Sequence, residues 1–541
     1  MRTELTPYLV LVALTAMGVR CVAAQAPTDG VFERYDRDAN GKVTPQELPN
    51  PRTFERFDVN RDGAITQAEY NQVAGGAAAG GAGQADTAVA AYHREGGGPV
   101  PLSANTAFTD LRFSRDWTPG TEDRNGKLMT GTECNYLVAH GSRLYAAISL
   151  WNHDPAAPNP GPGVLVKPSA AAPWEVDVQF PPPSLRVAVL ASLTFATDAE
   201  GRKLDPPVSL LVAGGSLFES RREVAVFVRD DTTGRWHKSV IAGRSARDVG
   251  EVRLLRVHRD KVTGVDRVIG AVTNGNVYSA VYDPSAPGRI RWNSEPELAG
   301  RLARIMSCGE ANGDAYLAVD ITPDAPKNGG LFRRVDGPQP RWEWIGEWGH
   351  RRDHRGVAWV RGLTAIPDPQ QPGKERLLCS REVDGVIEVV DPQRNHEPRV
   401  EFDLRRHFGG LVGAQEGQLF TTLFAYNEMT PAVHPDTGEP VLLIAGGIMP
   451  GLPGNDARAK GAWYLVRHAD GRYGTGQVFD PAVVPLAVGG LRSVRTICVS
   501  PFPEEEGRVF YFGGFDAARG PHRDTAWIYE GALPPTNKGK P

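Results

Sequence analysis

From about residue 99 to residue 535, apolar positions come in short runs that alternate with polar ones or stay apolar throughout. Turns such as Asp283-Pro284, Asp391-Pro392, Asp470-Gly471 and Asp480-Pro481 separate them. No long run of helical period interrupts the series, so the chain predicts strands. The runs recur in a fixed order. A first strand reads TECNYLVAH, LASLTFAT, VRLLRVHR, ARIMSCGEA, VRGLTAIPD, FTTLFAYNE or RSVRTICVS. A second reads RLYAAISLW, VSLLVAGGS, RVIGAVTNG, AYLAVDI, RLLCSRE, VLLIAGG or RVFYFGGFD, and a third includes VLVK, VAVFVRD, VIEVVD and AWYLVRH. The fourth runs through Trp174, Trp236, Trp292, Trp342, Val400 and Tyr473. Six sets are complete, and the seventh lacks its fourth strand after Leu533. Phe108 to Phe113 (FTDLRF), with Trp117 shortly after, lies before the first set and supplies the missing strand.

An array joined in this way has no open edge. It resembles a seven-bladed β-propeller, mostly β, whose N-terminal strand closes the last blade. The repeats are degenerate and carry no WD or kelch signature, so six blades, eight blades and a pair of β-sandwiches remain as alternatives. The phrases RDDTTGRWHKSVI, HRDKVTGVDR and RGLTAIPDP resemble uncharacterised exported propellers of bacteria, a likeness that implies no activity.

The sharpest motif lies upstream. Asp36, Asp38 and Asn40 precede Gly41, Lys42, Val43, Thr44 and Glu47. Asp58, Asn60 and Asp62 precede Gly63, Ala64, Ile65, Thr66 and Glu69. Calcium is a hard cation that takes several oxygens in a flexible cage. Each stretch supplies side-chain oxygens at positions 1, 3 and 5, a glycine for the sharp turn, a backbone carbonyl at Lys42 or Ala64, and a closing glutamate. Both resemble the EF-hand loop, and the resemblance implies two Ca2+ sites in a small α-helical module. Val43 and Ile65 occupy the position where paired loops join by a short β-bridge, and Phe32, Tyr35, Leu48, Phe54, Phe57 and Tyr70 flank them. Only 22 residues separate Asp36 from Asp58, with Pro49 and Pro51 between them. The pair therefore resembles compact modules of bacterial exported proteins, and no wide sensor-type opening is expected.

The termini and composition refine this division. Arg2 followed by the apolar run Tyr8–Met17 and the small residues Ala23, Ala24 and Ala26 reads as an export signal over 1–26. The calcium pair occupies 28–72, a Gly/Ala-rich tether (AGGAAAGGAGQ, then Gly96 to Gly98) occupies 73–98, the propeller 99–535 and a tail 536–541. The protein is expected outside the cytoplasm, secreted or periplasmic, with no membrane span once the signal is removed. Lys+Arg 60 against Asp+Glu 64 argues against nucleic acid as a partner. Cys134, Cys308, Cys379 and Cys498 are widely spaced and read as small buried apolar residues more than as a disulfide framework.

In a propeller the first strands line the central channel, and ligands bind at the face where the chain enters them. The polar residues on those strands are the candidates: Glu133, His258, Glu310, Arg361, Asn427, Glu428, Arg492 and Arg495. Carboxylates and arginines around an axis suit bidentate guanidinium contacts to a sugar or carboxylate, or general acid–base work; equally, they satisfy one another in a wet channel. His350 and His354 share the loop GHRRDHRG, which faintly resembles the His- and Arg-bearing loop of quinoprotein sugar dehydrogenases, a match that fails at most positions. No GxSxG, HExxH, GxxxxGK[ST] or CxxCH motif occurs. Three readings follow: an exported calcium-binding protein whose propeller binds an unidentified carbohydrate or cell-surface protein at the channel face, a propeller enzyme (hydrolase, lyase or quinoprotein-type dehydrogenase), and a purely structural surface protein.

Overall fold

The computed structural model describes residues 42–44, 60, 62–66, 92–94 and 97–100, and most of 107–534 with interruptions between strands. Two compact units result, 1–90 and 91–541.

The described part of the first unit is a two-stranded bridge. Val43 pairs with Ile65 and Lys42 with Thr66, as the loop positions predict. Val43 and Ile65 are buried. At the start of the second unit, within the stretch read as a tether, Tyr92–Arg94 pairs with Gly97–Val100.

The rest of the second unit is a seven-bladed propeller of antiparallel sheets. The innermost strands are Glu133–His140, Arg186–Thr197, Val252–Arg259, Arg304–Ala311, Val360–Pro367, the split pair Thr421–Phe424 and Thr430–Val433, and Ser493–Val499. Blade seven takes its outer strand from the N-terminal side of the ring: Arg112–Trp117 pairs with Ile528–Ala532, Trp117 opposite Ile528 and Arg112 opposite Ala532. The closing strand thus starts four residues later than the sequence suggests. Phe108 instead caps the boundary between blades six and seven, buried edge-on against Phe510, with its carbonyl accepting a hydrogen bond from Tyr464. The period-two pattern also missed a helix, Leu404–Val412, between blades five and six. Leu404 and Phe408 fill the gap between those blades, Phe408 stacking on Phe424.

Among the described residues, seven apolar clusters form the core, one at each blade boundary, because each sheet is apolar on both faces and buries both against its neighbours. Cys134, Cys308, Cys379 and Cys498 are free and sit in these strands. Burial pushes the thiols of Cys308 and Cys498 up to about 12, so they act as apolar filler.

An ionic latch recurs across the boundaries. A basic residue on a blade's third strand reaches an acid on or just after the previous blade's fourth strand: Lys167 to Asp116 (2.8 Å), Arg229 to Asp177 (2.9 Å), Arg334 to Glu297 (2.9 Å) and Arg467 to Glu401 (2.8 Å). In three of the four, the fourth-strand aromatic donates to the same acid. Trp174 and Trp236 donate Nε1–H at 2.6 Å, and Tyr473 its hydroxyl at 2.7 Å. The aromatic repeat in the sequence is therefore a polar latch as well as packing.

Candidate ligand site at the channel entrance

A shared irregularity builds the site. Five of the innermost strands bulge close to their start, with register breaks spanning Cys134–Tyr136, Val187–Val189, Val252–Leu254, Ile305–Ser307 and Val494–Thr496. In blade five the break spans Arg361–Thr364. A bulge re-aims the extra residue, and here the extra residues include Asn135, Arg253 and Arg495. Blade six carries the device furthest. Phe424 pairs with Gly446 and Thr430 with Leu443, so five residues, 425–429, stand opposite two, 444 and 445. Ala425 turns out of the strand at φ 52° while its N–H still bonds Ala445. The surplus chain crosses the channel and delivers Tyr426, Asn427 and Glu428 to the axis. Asn427 anchors it by donating to the carbonyl of the bulged Asn135 at 2.5 Å.

Tyr426 lands among four arginines. Arg186 and Arg253 donate to its hydroxyl at 3.3 and 3.2 Å. The guanidinium of Arg495 lies 3.9 Å from the ring centroid and that of Arg361 at 4.3 Å. Three glutamates hold the arginines in place. Glu133 bridges Arg495 (3.0 Å) and Arg186 (3.2 Å), Glu251 bridges Arg253 (3.4 Å) and Arg186 (3.5 Å), and Glu382 accepts from Arg361 Nε at 2.6 Å. All of these except Glu382 and Tyr426 stand at or beside the start of an innermost strand, so the cluster sits where the chain enters the channel.

The electrostatics are unusual for a tyrosine. Burial alone would raise the Tyr426 phenol, but Arg186, Arg253 and Arg495 outweigh it and bring it down to about 7. The Glu133 carboxyl is likewise held below its usual range, against burial, by Arg495 and Arg186. Arg495 is 7 % exposed, and its Nε and Nη1 make no hydrogen bond. Its faces are occupied by the rings of Tyr426 and Phe515. At the rim, Trp151 is 40 % exposed and lies 5.0 Å from the Arg186 guanidinium. It follows the second strand of blade one, whose end pairs with Glu133, and so stands on the entrance face.

Beyond the crossing segment the channel opens into a cavity of about 630 Å³ lined by the later halves of the strands, including Leu137, Leu193, Leu255 and Ile497, with Glu428 and Arg256 as its charged groups. Of the residues singled out from the sequence, Glu133, Arg361 and Arg495 meet at Tyr426. Glu428 is exposed on the cavity side. His258 and Glu310 lie elsewhere: His258 is five residues of strand, roughly 17 Å, beyond Arg253. There Nδ1 contacts Glu310 and Nε2 contacts Asp336 at 3.0 Å, joining a buried network with Arg334 and Asp260. This network ties blade three to blade four. Arg186, Glu251, Arg253, Glu382, Tyr426 and Trp151 were not singled out in the sequence. The recoverable signal was a charged residue at or beside the start of every first strand but that of blade six, which a reading centred on the apolar runs passes over. His350 and His354 lie outside the described residues.

In the calcium unit, the described residues of the second loop have the shape that oxygen ligation needs. Gly63 adopts φ 87°. Asn60 Oδ1 accepts from the Asp62 N–H at 2.8 Å and Asp62 Oδ1 from the Ala64 N–H at 2.9 Å, curling the loop around its centre. Asn60, Asp62 and the Ala64 carbonyl are hard oxygen donors, which suits Ca2+. Asp36, Asp38, Asn40, Glu47, Asp58 and Glu69 lie outside the described residues.

Residues 52–74 match the family model described as EF hand. No curated protein sequence matches the chain. Among solved structures it is similar to a Penicillium chrysogenum α-L-arabinanase complexed with arabinobiose, at 9% identity over 78% of this chain and 98% of that one, TM-score 0.35. It is similar to the GH93 α-L-arabinofuranosidase of Fusarium graminearum at 10% identity over 62% and 93%, TM-score 0.35. A third likeness is to the Dos1 propeller, at 9% identity over 79% and 97%, TM-score 0.37. At these scores the likenesses carry no statement about activity. The protein is an EF-hand motif joined to a seven-bladed β-propeller.

Proposed function

We propose that this is an exported calcium-binding protein whose propeller binds a carboxylate-bearing carbohydrate at the channel entrance. The observation that carries the reading is the convergence of four arginines on Tyr426, with two buried N–H groups of Arg495 unbonded. Guanidinium forks recognise planar carboxylates bidentately. Trp151, exposed at the rim beside Arg186, offers an apolar face on which a sugar ring stacks. The calcium pair supplies a separate oxygen-ligated site, and extracellular modules of this kind bind Ca2+ at about 0.1–1 mM.

The test is calorimetric titration of the mature protein, calcium present, with trigalacturonate and with an uncharged trisaccharide. The acidic sugar is expected to bind with an affinity that falls as salt rises, the neutral one not at all. Equal binding of both, or of neither, overturns the reading. An enzyme at the same site is the second reading, favoured by one observation: a phenol that titrates near neutrality is matched to proton transfer. It requires turnover of the acidic sugar that disappears in Tyr426→Phe.

A further inference from the structure

We propose that Tyr426 is the resident anion of the entrance site, and that a carboxylate ligand enters as Tyr426 takes up a proton. This rests on the reading above, that the site receives a carboxylate.

The argument is one of charge in a confined space. The groups facing Tyr426 are Arg186 and Arg253 at its hydroxyl and Arg361 and Arg495 on its ring. Glu133, Glu251 and Glu382 pair with those arginines. Tyr136 and Glu428 stand near enough to act on one another's charge. Four guanidinium groups against three paired carboxylates leave one positive charge, and the phenolate cancels it. Glu428 is exposed to the channel, where water screens it. An uncancelled charge in such a place is costly, so above neutral pH one anion belongs to the cluster. When none comes from outside, the phenolate serves, held by two guanidinium donors.

A ligand carboxylate that settles against the same arginines makes two anions where one is balanced. The phenolate is the group that yields, because its tie to the proton is the strongest among the acids present. Its oxygen takes a proton from water, the O–H bond forms, and the ligand's negative charge replaces the one removed. No bond to the ligand is made. Arg186 and Arg253 then turn from the hydroxyl to the carboxylate, and the neutral phenol keeps its place between Arg361 and Arg495. Tyr426 thereby acts as a positioning residue that keeps four like charges together in the empty site.

The sign of the linkage follows. Below about pH 7 Tyr426 is already protonated in the empty site, so binding takes up no proton and affinity is flat. Above it, each bound carboxylate takes up one proton, and Kd rises about tenfold per pH unit. A carbohydrate carboxylate stays ionised throughout this range, so the ligand contributes no slope of its own.

The experiment measures the Kd of trigalacturonate between pH 6 and pH 9 at constant salt for the full mature chain and for Tyr426→Phe. The expected result is a flat affinity to about pH 7 and then a loss of about a hundredfold by pH 9 in the native protein, with no slope in the variant. A second measurement needs no variant. At pH 8.5 the folded protein has a phenolate absorbance near 295 nm, and trigalacturonate at saturation removes it. Binding that is equally flat in both proteins, binding that slopes equally in both, or a phenolate band untouched by saturating ligand overturns the proposal while leaving carboxylate binding intact. Absence of binding at every pH overturns the ligand reading instead, and a phenolate band seen without ligand then still identifies the resident anion.

Discussion

The latch between blades one and two sets up a stability test whose size follows from geometry. Arg229 grips Asp177 with two parallel hydrogen bonds, 2.9 and 3.0 Å, and Trp236 donates to the same carboxylate at 2.6 Å. Both charged side chains are less than a tenth exposed. Breaking a buried pair by removing one partner costs about 3–5 kcal/mol, because the other charge is left in low dielectric. Asp177→Ala strands the guanidinium and the indole N–H. Arg229 keeps Asp231 at 2.8 Å, but that carboxylate is half exposed and compensates weakly. We expect about 4 kcal/mol for Asp177→Ala and a similar loss for Arg229→Met. The double variant removes both charges, so it is expected near either single rather than near their sum, a coupling of about 4 kcal/mol. Urea is the denaturant of choice, since guanidinium chloride screens the pair. Lys203→Ala is the control, because its partner Asp205 and Lys203 itself are almost fully exposed, and a pair of that kind contributes about 0–1 kcal/mol. Single variants that lose less than about 1 kcal/mol, or a double variant equal to the sum, would refute the latch.

Four further outcomes are expected. Glu69→Gln removes one of two calcium binding events in a calorimetric titration, Glu47→Gln removes the other, and neither shifts melting of the propeller; a shift of several degrees refutes the independence of the two units. Deleting residues 100–117 takes the outer strand from blade seven and exposes the edge of Ile528–Ala532, so cooperative unfolding is lost or moves to much lower urea, and an unchanged curve refutes ring closure by Arg112–Trp117. Burial alone would lower the His258 imidazole, but Glu310 and Asp336 hold it above its ordinary value. Its contribution to stability is therefore fully present below about pH 6.5 and fades as pH rises through the raised value. Native and His258→Gln proteins should thus differ more in urea midpoint at pH 6 than at pH 9, and a constant difference refutes the role. Trp151→Ala leaves stability within about 0.5 kcal/mol and weakens trigalacturonate binding, and unchanged affinity removes Trp151 from the site.

The blade order, the fourth-strand aromatics and the EF-hand motif within residues 52–74 were legible in the sequence because each rests on local chemistry. A strand that buries both faces reads as an apolar run, a loop that needs φ > 0 carries glycine at Gly63, and an oxygen-ligated cation needs Asp, Asn and Glu at set spacings. Seven strand sets were legible too, but closure of the ring at seven rests on Arg112–Trp117 pairing with Ile528–Ala532. What the sequence left open was decided by closure of the ring. The strand boundary at Arg112 depends on the register with Ile528–Ala532, a pairing across more than four hundred residues. Helix Leu404–Val412 forms where blades five and six leave room for Phe408. His258 and Arg253 share one strand, yet Arg253, the extra residue of the bulge at Val252–Leu254, reaches the axis while His258 turns into a blade boundary. The Tyr426 site is the extreme case. Its groups come from six blades and are hundreds of residues apart, and their charges are shifted only because the ring brings them within a few ångströms out of bulk water. Local sequence sets which strands form, whereas burial and proximity, which are properties of the closed ring, decide which side chains become a site.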